Sequence, residues 1–252
     1  MSRVIAIMNQ KGGVGKTTTT INLGHALALT GKTVTLLDMD PQGQVATGLG
    51  LSNDQGGLDH VLLDDVALDE HIISARDNLD IIPAGTRLAD FEHVSSGGSS
   101  RGHKLRLAIE ASALEQRDYV LIDCPPSSGL LGINAMFAAD ELVIPVSGDY
   151  LSLQGLSRMM QILKRAESLS GHEIKLWLVM TRMQMRRRLT QEVRSRVLKY
   201  FPSRVFDTAI RENVSLAECP SFGKTIFDYK NTSAGAEDYQ SLAADLLHGR
   251  TS

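Results

Sequence analysis

The run Asn9-Gln10-Lys11-Gly12-Gly13-Val14-Gly15-Lys16-Thr17-Thr18-Thr19-Thr20 constrains this chain more than any other stretch. An apolar segment, Val4-Ile5-Ala6-Ile7-Met8, leads into it, and a helix-like pattern from about Lys16 to Leu29 follows. Strand, glycine turn and helix start, in that order, are the context a phosphate-binding loop requires. The glycines let the backbone curl so that successive N–H groups point inward at an anion, and the helix N-terminus adds its partial positive charge. In such a loop Lys16 reaches the β- and γ-phosphates and the Thr17 hydroxyl ligates Mg²⁺. The usual pattern opens on a glycine where this chain has Gln10, and Lys11 is a second cation inside the loop. The plain alternative is a glycine-rich turn with no ligand. Three glycines, two lysines and a threonine-rich helix start in one place argue against it.

At 252 residues the chain can bury a full core. Strand-like and helix-like patterns alternate without a break in composition. This predicts a single α/β domain over 1–252, doubly wound, with a mostly parallel central sheet and helices on both faces. The formal charge is −3, so affinity for nucleic acid has to come from a local patch. Cys124 and Cys219 are too few for a disulfide framework and lack metal-ligand spacing. The first core strand begins almost at Met1, leaving no room for a signal peptide, and no apolar run approaches the ~20 residues of a membrane span. A soluble cytoplasmic protein is the expectation.

Thr33-Val34-Thr35-Leu36-Leu37 reads as a buried strand that ends in Asp38-Met39-Asp40-Pro41-Gln42-Gly43. Two carboxylates leaving a strand tip would sit beside the first loop in a parallel sheet, although Asp-Pro-x-Gly is also ordinary turn chemistry. Tyr119-Val120-Leu121-Ile122 leads into Asp123-Cys124-Pro125-Pro126-Ser127. An apolar strand ending in Asp fits the Walker B role, in which the carboxylate holds Mg²⁺. Cys124 reads as a small buried filler. Further strands are expected at Leu79–Pro83, Glu141–Val146 and Ile174–Thr181, with an amphipathic helix from about Asp149-Tyr150-Leu151 to Leu169. Residues 52–78 suggest small peripheral helices. The Gly/Ser run from Val94 to Gly102 is flexible by composition, either a surface loop or a docking element for a partner.

Between Arg182 and Arg204 stand eight basic residues, Arg182, Arg186, Arg187, Arg188, Arg194, Arg196, Lys199 and Arg204, against one acid, Glu192. Leu189, Val193, Val197 and Phe201 recur on one helical face, with Arg188 and Lys199 pointing away and Arg194 and Arg196 at the edges. A solvated helix face is the ordinary reading of such a run. In a net-acidic chain this imbalance, mostly arginine, points instead to phosphate contact by Arg186, Arg187, Arg188, Arg194, Arg196 and Lys199. With no zinc finger or helix-turn-helix pattern beside it, the expected mode is non-specific duplex binding, steeply salt-dependent.

Lys11–Thr17 resembles the deviant Walker A loop of the ParA/MinD group of P-loop ATPases. Asp38–Gly43 is similar to that group's D-x-D-P-Q-G motif, and Ile122–Ser127 to its I-D-x-P-P-S segment. Val205–Lys224 is similar to its stretch ending in S-E-A-P-S-x-G-K, and Ser233–Tyr239 to S-x-G-A-x-x-Y. The resemblance spans nearly the whole chain, is weakest from Ser52 to His103, and within the group favours the ParA/Soj partition type. It implies a weak Mg²⁺-dependent ATPase that works as a switch. Lys11, Gly12, Gly13, Val14, Gly15, Lys16, Thr17 and Thr18 would hold the phosphates, with Lys11 reaching the partner protomer's nucleotide. Lys16 would neutralise charge, Asp40 would position the attacking water, and Thr17, Asp38 and Asp123 would serve the metal. Ile210 and Arg211 would lie at the adenine, although Arg211-Glu212 replaces the family's usual Pro-Arg before Asn213. The implied partners are a second copy in the presence of ATP, non-specific double-stranded DNA of the nucleoid, and a ParB-like activator. A MinD-like membrane role needs an amphipathic anchor. The tail Ser241–Arg250 carries an acid and reads as a closing core helix, so no stable membrane association is expected. An electron-transfer role, as in the nitrogenase iron protein, needs a matching cysteine pair, and none is evident.

Overall fold

The computed structural model describes residues 2–95, 98–127, 129–149, 151–184 and 186–252. Ser96 and Gly97 of the Gly/Ser run, and Tyr150 at the expected helix start, lie outside the described residues. Among the described residues eight strands form one sheet. They are β1 (Arg3–Ile7), β2 (Val34–Asp38), β3 (Ile73–Arg76), β4 (Leu79–Ile82), β5 (Tyr119–Asp123), β6 (Glu141–Ser147), β7 (Lys175–Met183) and β8 (Val205–Arg211). Their order is β3-β4-β2-β5-β1-β6-β7-β8, and every neighbouring pair is parallel except β3 with β4.

Alternate residues of the central strands feed two separate cores, as a sheet covered on both faces requires. Val4, Ala6 and Met8 pack on one face and Ile5 and Ile7 on the other. The first face is covered by α3 (Leu58–Asp64), α4 (Lys104–Glu110), α5 (Leu130–Ala138), α6 (Leu151–Ser170) and α7 (Arg188–Tyr200). The second is covered by α1 (Lys16–Leu29), α2 (Gln44–Gly48), α8 (Val214–Glu218), α9 (Ile226–Lys230) and α10 (Ala234–His248). This is the doubly wound α/β architecture expected for a P-loop NTPase. From β1 the chain passes over β5 to reach β2, and from β5 it later passes over β1 to reach β6. The winding therefore reverses around β1, and the crevice at such a reversal is where open α/β sheets collect ligands.

Two expectations change. Within residues 52–78 the helical parts are α3 and a short 3-10 turn at Leu68–His71, but Ile73–Arg76 is an antiparallel edge strand on β4 with a register shift between Ser74 and Arg76. Four residues are too few to show a period of two. Leu189 is 45 % exposed, so it does not join the buried stripe of α7, which is Thr190, Val193 and Val197, with Phe201 half-buried against the core. The tail does close the core, since α10 buries Leu242, Ala243 and Leu246. Among the described residues no helix is long and apolar enough to cross a membrane.

At the N-terminal ends of the strands, opposite the crevice, Glu141 straps β1, β6 and β7 together. Its carboxylate accepts two hydrogen bonds from Arg3, at 2.7 and 3.0 Å, and one from the Trp177 indole at 2.5 Å. Burial pushes the Glu141 carboxyl up, but the hydrogen bonds from Arg3 and Trp177 outweigh it and leave its pKa below the ordinary value. A depressed folded-state pKa means the strap is complete above the ordinary glutamate pKa and is lost as pH falls through the depressed one. Glu141→Gln should lower the unfolding free energy by about 1–3 kcal/mol at neutral pH. In urea titrations the gap between wild type and variant should narrow as pH falls through the carboxylate range.

Candidate functional site

β1 delivers the chain into the loop at Met8, and the loop delivers it into α1 at Lys16. Gly13 and Gly15 have φ of +71° and +89°, which L side chains rarely adopt. Alternating handedness of this kind makes successive backbone N–H groups converge on an anion-sized concavity. Gly15 caps α1 without any side-chain hydrogen bond, so the first N–H donors of the helix remain available. Asn9 anchors the start of the loop. Its amide donates to the Pro145 carbonyl at 2.7 Å, and its oxygen accepts the Lys11 N–H at 3.0 Å. On the far side, Thr181 donates to the Val14 carbonyl at 2.8 Å and Arg182 to the Gly13 carbonyl at 3.1 Å.

A cavity of about 710 Å³ opens over this loop. Its polar end is lined by Gly12, Gly13, Gly15, Lys16, Thr17, Thr18 and Asp40. Lys16 is only 8 % exposed and takes part in no ion pair among the described residues. A buried ammonium without a contacting acid is costly unless a bound anion completes it. Val14 sits beneath, fully packed.

Asp123, at the end of β5, is wholly buried and accepts the Thr17 hydroxyl at 2.7 Å and the Thr20 hydroxyl at 3.1 Å. Burial pushes its carboxyl up to about 7, against the pull of those hydroxyls and of the Lys16 charge. Asp38 lies opposite it in the β2–β5 register and is also driven up, by burial and then by the Asp123 charge. Two adjacent buried carboxylates gain from any nearby positive charge. The Thr17–Asp123 pair presents the hard oxygen donors that suit Mg²⁺. No group of three or more His, Cys, Asp or Glu is placed to hold a metal among the described residues, so a cation here would need ligands from a bound anion and water.

Asp38 stands behind the cavity. Its oxygens accept the N–H groups of Asp40 at 3.2 Å and Val45 at 3.0 Å, which shape the turn into α2. Asp40 reaches the cavity wall, and its Oδ1 also accepts the Gln42 N–H at 3.0 Å, so the turn chemistry and the site coexist. At the other end of the cavity lie Ile210, Arg211, Asn213, Leu216 and Tyr239. The Arg211 guanidinium is spent on α10, with contacts to Asp238 at 2.6 and 2.9 Å and to Glu237 at 2.6 Å. Those acids hold its pKa above the ordinary arginine value.

Lys11 is engaged within its own chain. Its ammonium lies 2.5 and 2.6 Å from the two carboxylate oxygens of Asp149, which also accepts the Ser147 hydroxyl at 2.7 Å. Burial pushes the Asp149 carboxyl up, but the bonds from Lys11 and Ser147 prevail and its pKa is lowered. Asp149 follows the end of β6, next to β1, so the strand-tip argument applied to Asp38 and Asp123 would have found it. Thr181, Arg182 and Tyr239 carried no such local signal.

The predicted nucleic-acid residues are not part of the cavity. Arg186, Arg187, Arg188, Arg196 and Lys199 are exposed and Arg194 is half-buried, all at or along α7. Arg187 caps α7 and Arg188 opens it, with no acid in the first turn. Cations at that end oppose the helix dipole, so they are not there for helix stability. Thr190 donates to the Gly148 carbonyl at 3.4 Å, which seats the start of α7 against the turn carrying Asp149.

Comparison with known proteins agrees with this geometry. A family model described as an AAA domain matches residues 2–176. The chain is 42 % identical over 251 residues to the sporulation initiation inhibitor protein Soj of Bacillus subtilis, covering 98 % of each chain. It is 40 % identical to the chromosome partitioning protein ParA of Caulobacter vibrioides, covering 97 % of this chain and 94 % of that one. Among solved structures it resembles cobyrinic acid a,c-diamide synthase from Mycobacterium smegmatis, with bound ADP and magnesium, at a TM-score of 0.84. That pair shares 28 % identity over 98 % of this chain and 95 % of the other.

The Lys11–Asp149 ion pair makes a direct prediction. Asp149→Ala should free the ammonium and speed acylation of Lys11, read site by site by mass spectrometry, while Lys32 reacts as in the wild type.

Proposed function

Because this chain belongs to the ParA/Soj family of partition ATPases, we propose that it is an ATP-driven switch that dimerises over bound nucleotide and then holds DNA without sequence preference. The observation that carries this reading is the nearly buried Lys16 ammonium, with no ion-pair partner among the described residues, at the start of α1, which no side chain caps. Gly12, Gly13, Val14, Gly15, Lys16, Thr17 and Thr18 bind the triphosphate. Thr17, backed by Asp123, would hold Mg²⁺, which would supply neutralisation of phosphate charge. Asp40 orients the attacking water, and Asp38 braces the turn that carries it. The base lies toward Ile210 and the backbone of Arg211.

In the dimer Lys11 leaves Asp149 and serves the nucleotide of the other copy. Since α7 starts against the turn that holds Asp149, this exchange is felt at the basic surface. Arg186, Arg187, Arg188, Arg194, Arg196 and Lys199 then contact DNA phosphates, twice over in the dimer. Hydrolysis to ADP and phosphate returns a monomer with weaker hold on DNA. A ParB-like protein on a cargo stimulates that step, and the Soj and ParA relatives support a partitioning role. The apolar face of α10 is spent on the sheet, which argues against use of this helix as a membrane anchor.

Lys16→Ala should abolish ATP binding in equilibrium dialysis, and retained tight affinity would refute the loop assignment. Asp40→Ala should lower turnover by at least about 100-fold and leave an MgATP dimer on DNA, seen by light scattering and gel shift. Arg187→Glu with Arg188→Glu should spare ATPase activity. It should also flatten the log–log salt dependence of DNA binding by about 0.9 for each DNA phosphate that the variant no longer neutralises.

A further inference from the structure

We propose that Thr181 and Arg182 of β7 are positioning residues that set the phosphate loop in its anion-binding orientation, an inference that rests on the nucleotide-binding reading above. Neighbouring residues of a strand normally point to opposite faces of the sheet. Here two neighbours reach the same loop, and on consecutive carbonyls. Thr181, 2 % exposed, donates to the Val14 carbonyl at 2.8 Å, and Arg182 donates to the Gly13 carbonyl at 3.1 Å.

A β-bulge makes this possible. Met180 pairs with Ala209 and Met183 with Arg211, so Thr181 and Arg182 together oppose the single residue Ile210 on β8. Arg182 takes up the extra length with φ of +51°, a left-handed conformation that is unfavourable for arginine. That conformation turns its side chain back toward the loop. The guanidinium is steadied from the other side by Glu212, 3.6 Å away, whose carboxylate also accepts the Gln184 amide. A bulge and a strained arginine beside a ligand cavity are a cost that the sheet itself does not require.

The consequence follows from the planar trans peptide, in which C=O and N–H point in opposite directions. Holding the Gly13 and Val14 carbonyls toward β7 turns the N–H groups of Val14 and Gly15 away from it. Neither N–H has an acceptor among the described residues. They are left facing the concavity beside Lys16, ready for phosphate oxygens before any ligand arrives. Pre-orientation of this kind lowers the ordering cost of binding.

The test is titration of the full chain with the fluorescent probe N-methylanthraniloyl-ATP and Mg²⁺. Thr181→Val keeps the shape and removes the donor, and should raise Kd about tenfold, with Thr181→Ser restoring it. In steady-state hydrolysis KM should rise while kcat stays within about twofold, because the interaction acts on ground-state binding. Arg182→Gly gives a second, independent reading. It relieves the left-handed strain, so its Tm should equal or exceed that of the wild type while its affinity for the probe falls. Wild-type affinity in either folded variant would overturn the assignment. Should the wild type fail to bind the probe, or Lys16→Ala bind it equally well, the nucleotide-binding reading falls and this inference with it.

Discussion

Lys16 has to keep a positive charge where almost no water reaches it and no acid among the described residues pairs with it. The charge that could neutralise it, Asp123, has its two oxygens committed to Thr17 and Thr20. Around this cation the backbone adds donors and no acceptors. Gly13 and Gly15 curl the loop, α1 begins uncapped, and β7 holds two carbonyls out of the way. The loop side of this corner is rich in donors, and the sheet, with its winding reversal at β1, exposes them beside the Asp38 and Asp123 carboxylates in one crevice. A polyanion completes it, which is why the site reads as a nucleotide site before any reaction is considered.

Charge is distributed with the same logic over the rest of the surface. Arg3, Lys32, Arg76, Arg87, Lys104, Arg106, Arg117, Arg211 and Arg250 each stand against a carboxylate. The cations of α7 have no ion-pair partner among the described residues, and three of them crowd a helix start where the dipole repels them. Helix stability does not account for this arrangement. Lys11 differs again. It is paired, with an acid on a turn that the start of α7 packs against.

The parts of the site legible from sequence were those in which a short run carries its own geometry. Glycine spacing, the lysine and threonines that follow, and apolar strands ending in aspartate point to Gly13, Gly15, Lys16, Thr17 and Asp123 without knowledge of the fold. Thr181, Arg182 and Tyr239 were not legible in this way, because each acts through a contact more than a hundred residues away along the chain. The bulge that aims Arg182 depends on how β7 pairs with β8, and no pattern within β7 announces it. Ile73–Arg76 was too short to show its alternation, and Leu189 fits the period of a buried stripe, but at the start of α7 it is Thr190 that packs inward.

By itself the sequence determined that strands would be buried on two faces, that a phosphate loop would join the first strand to the first helix, and that positive charge would gather after residue 182. Those properties are set by local periodicity and by what glycine, lysine and threonine can do over a few neighbouring positions. Only the tertiary structure decided where the charges are spent. It turned Arg211 toward α10, closed Lys11 onto Asp149, and left Lys16 open to the cavity. Such choices are made by distances across the sheet, where burial raises the cost of an unpaired charge and register decides which side chains can meet it.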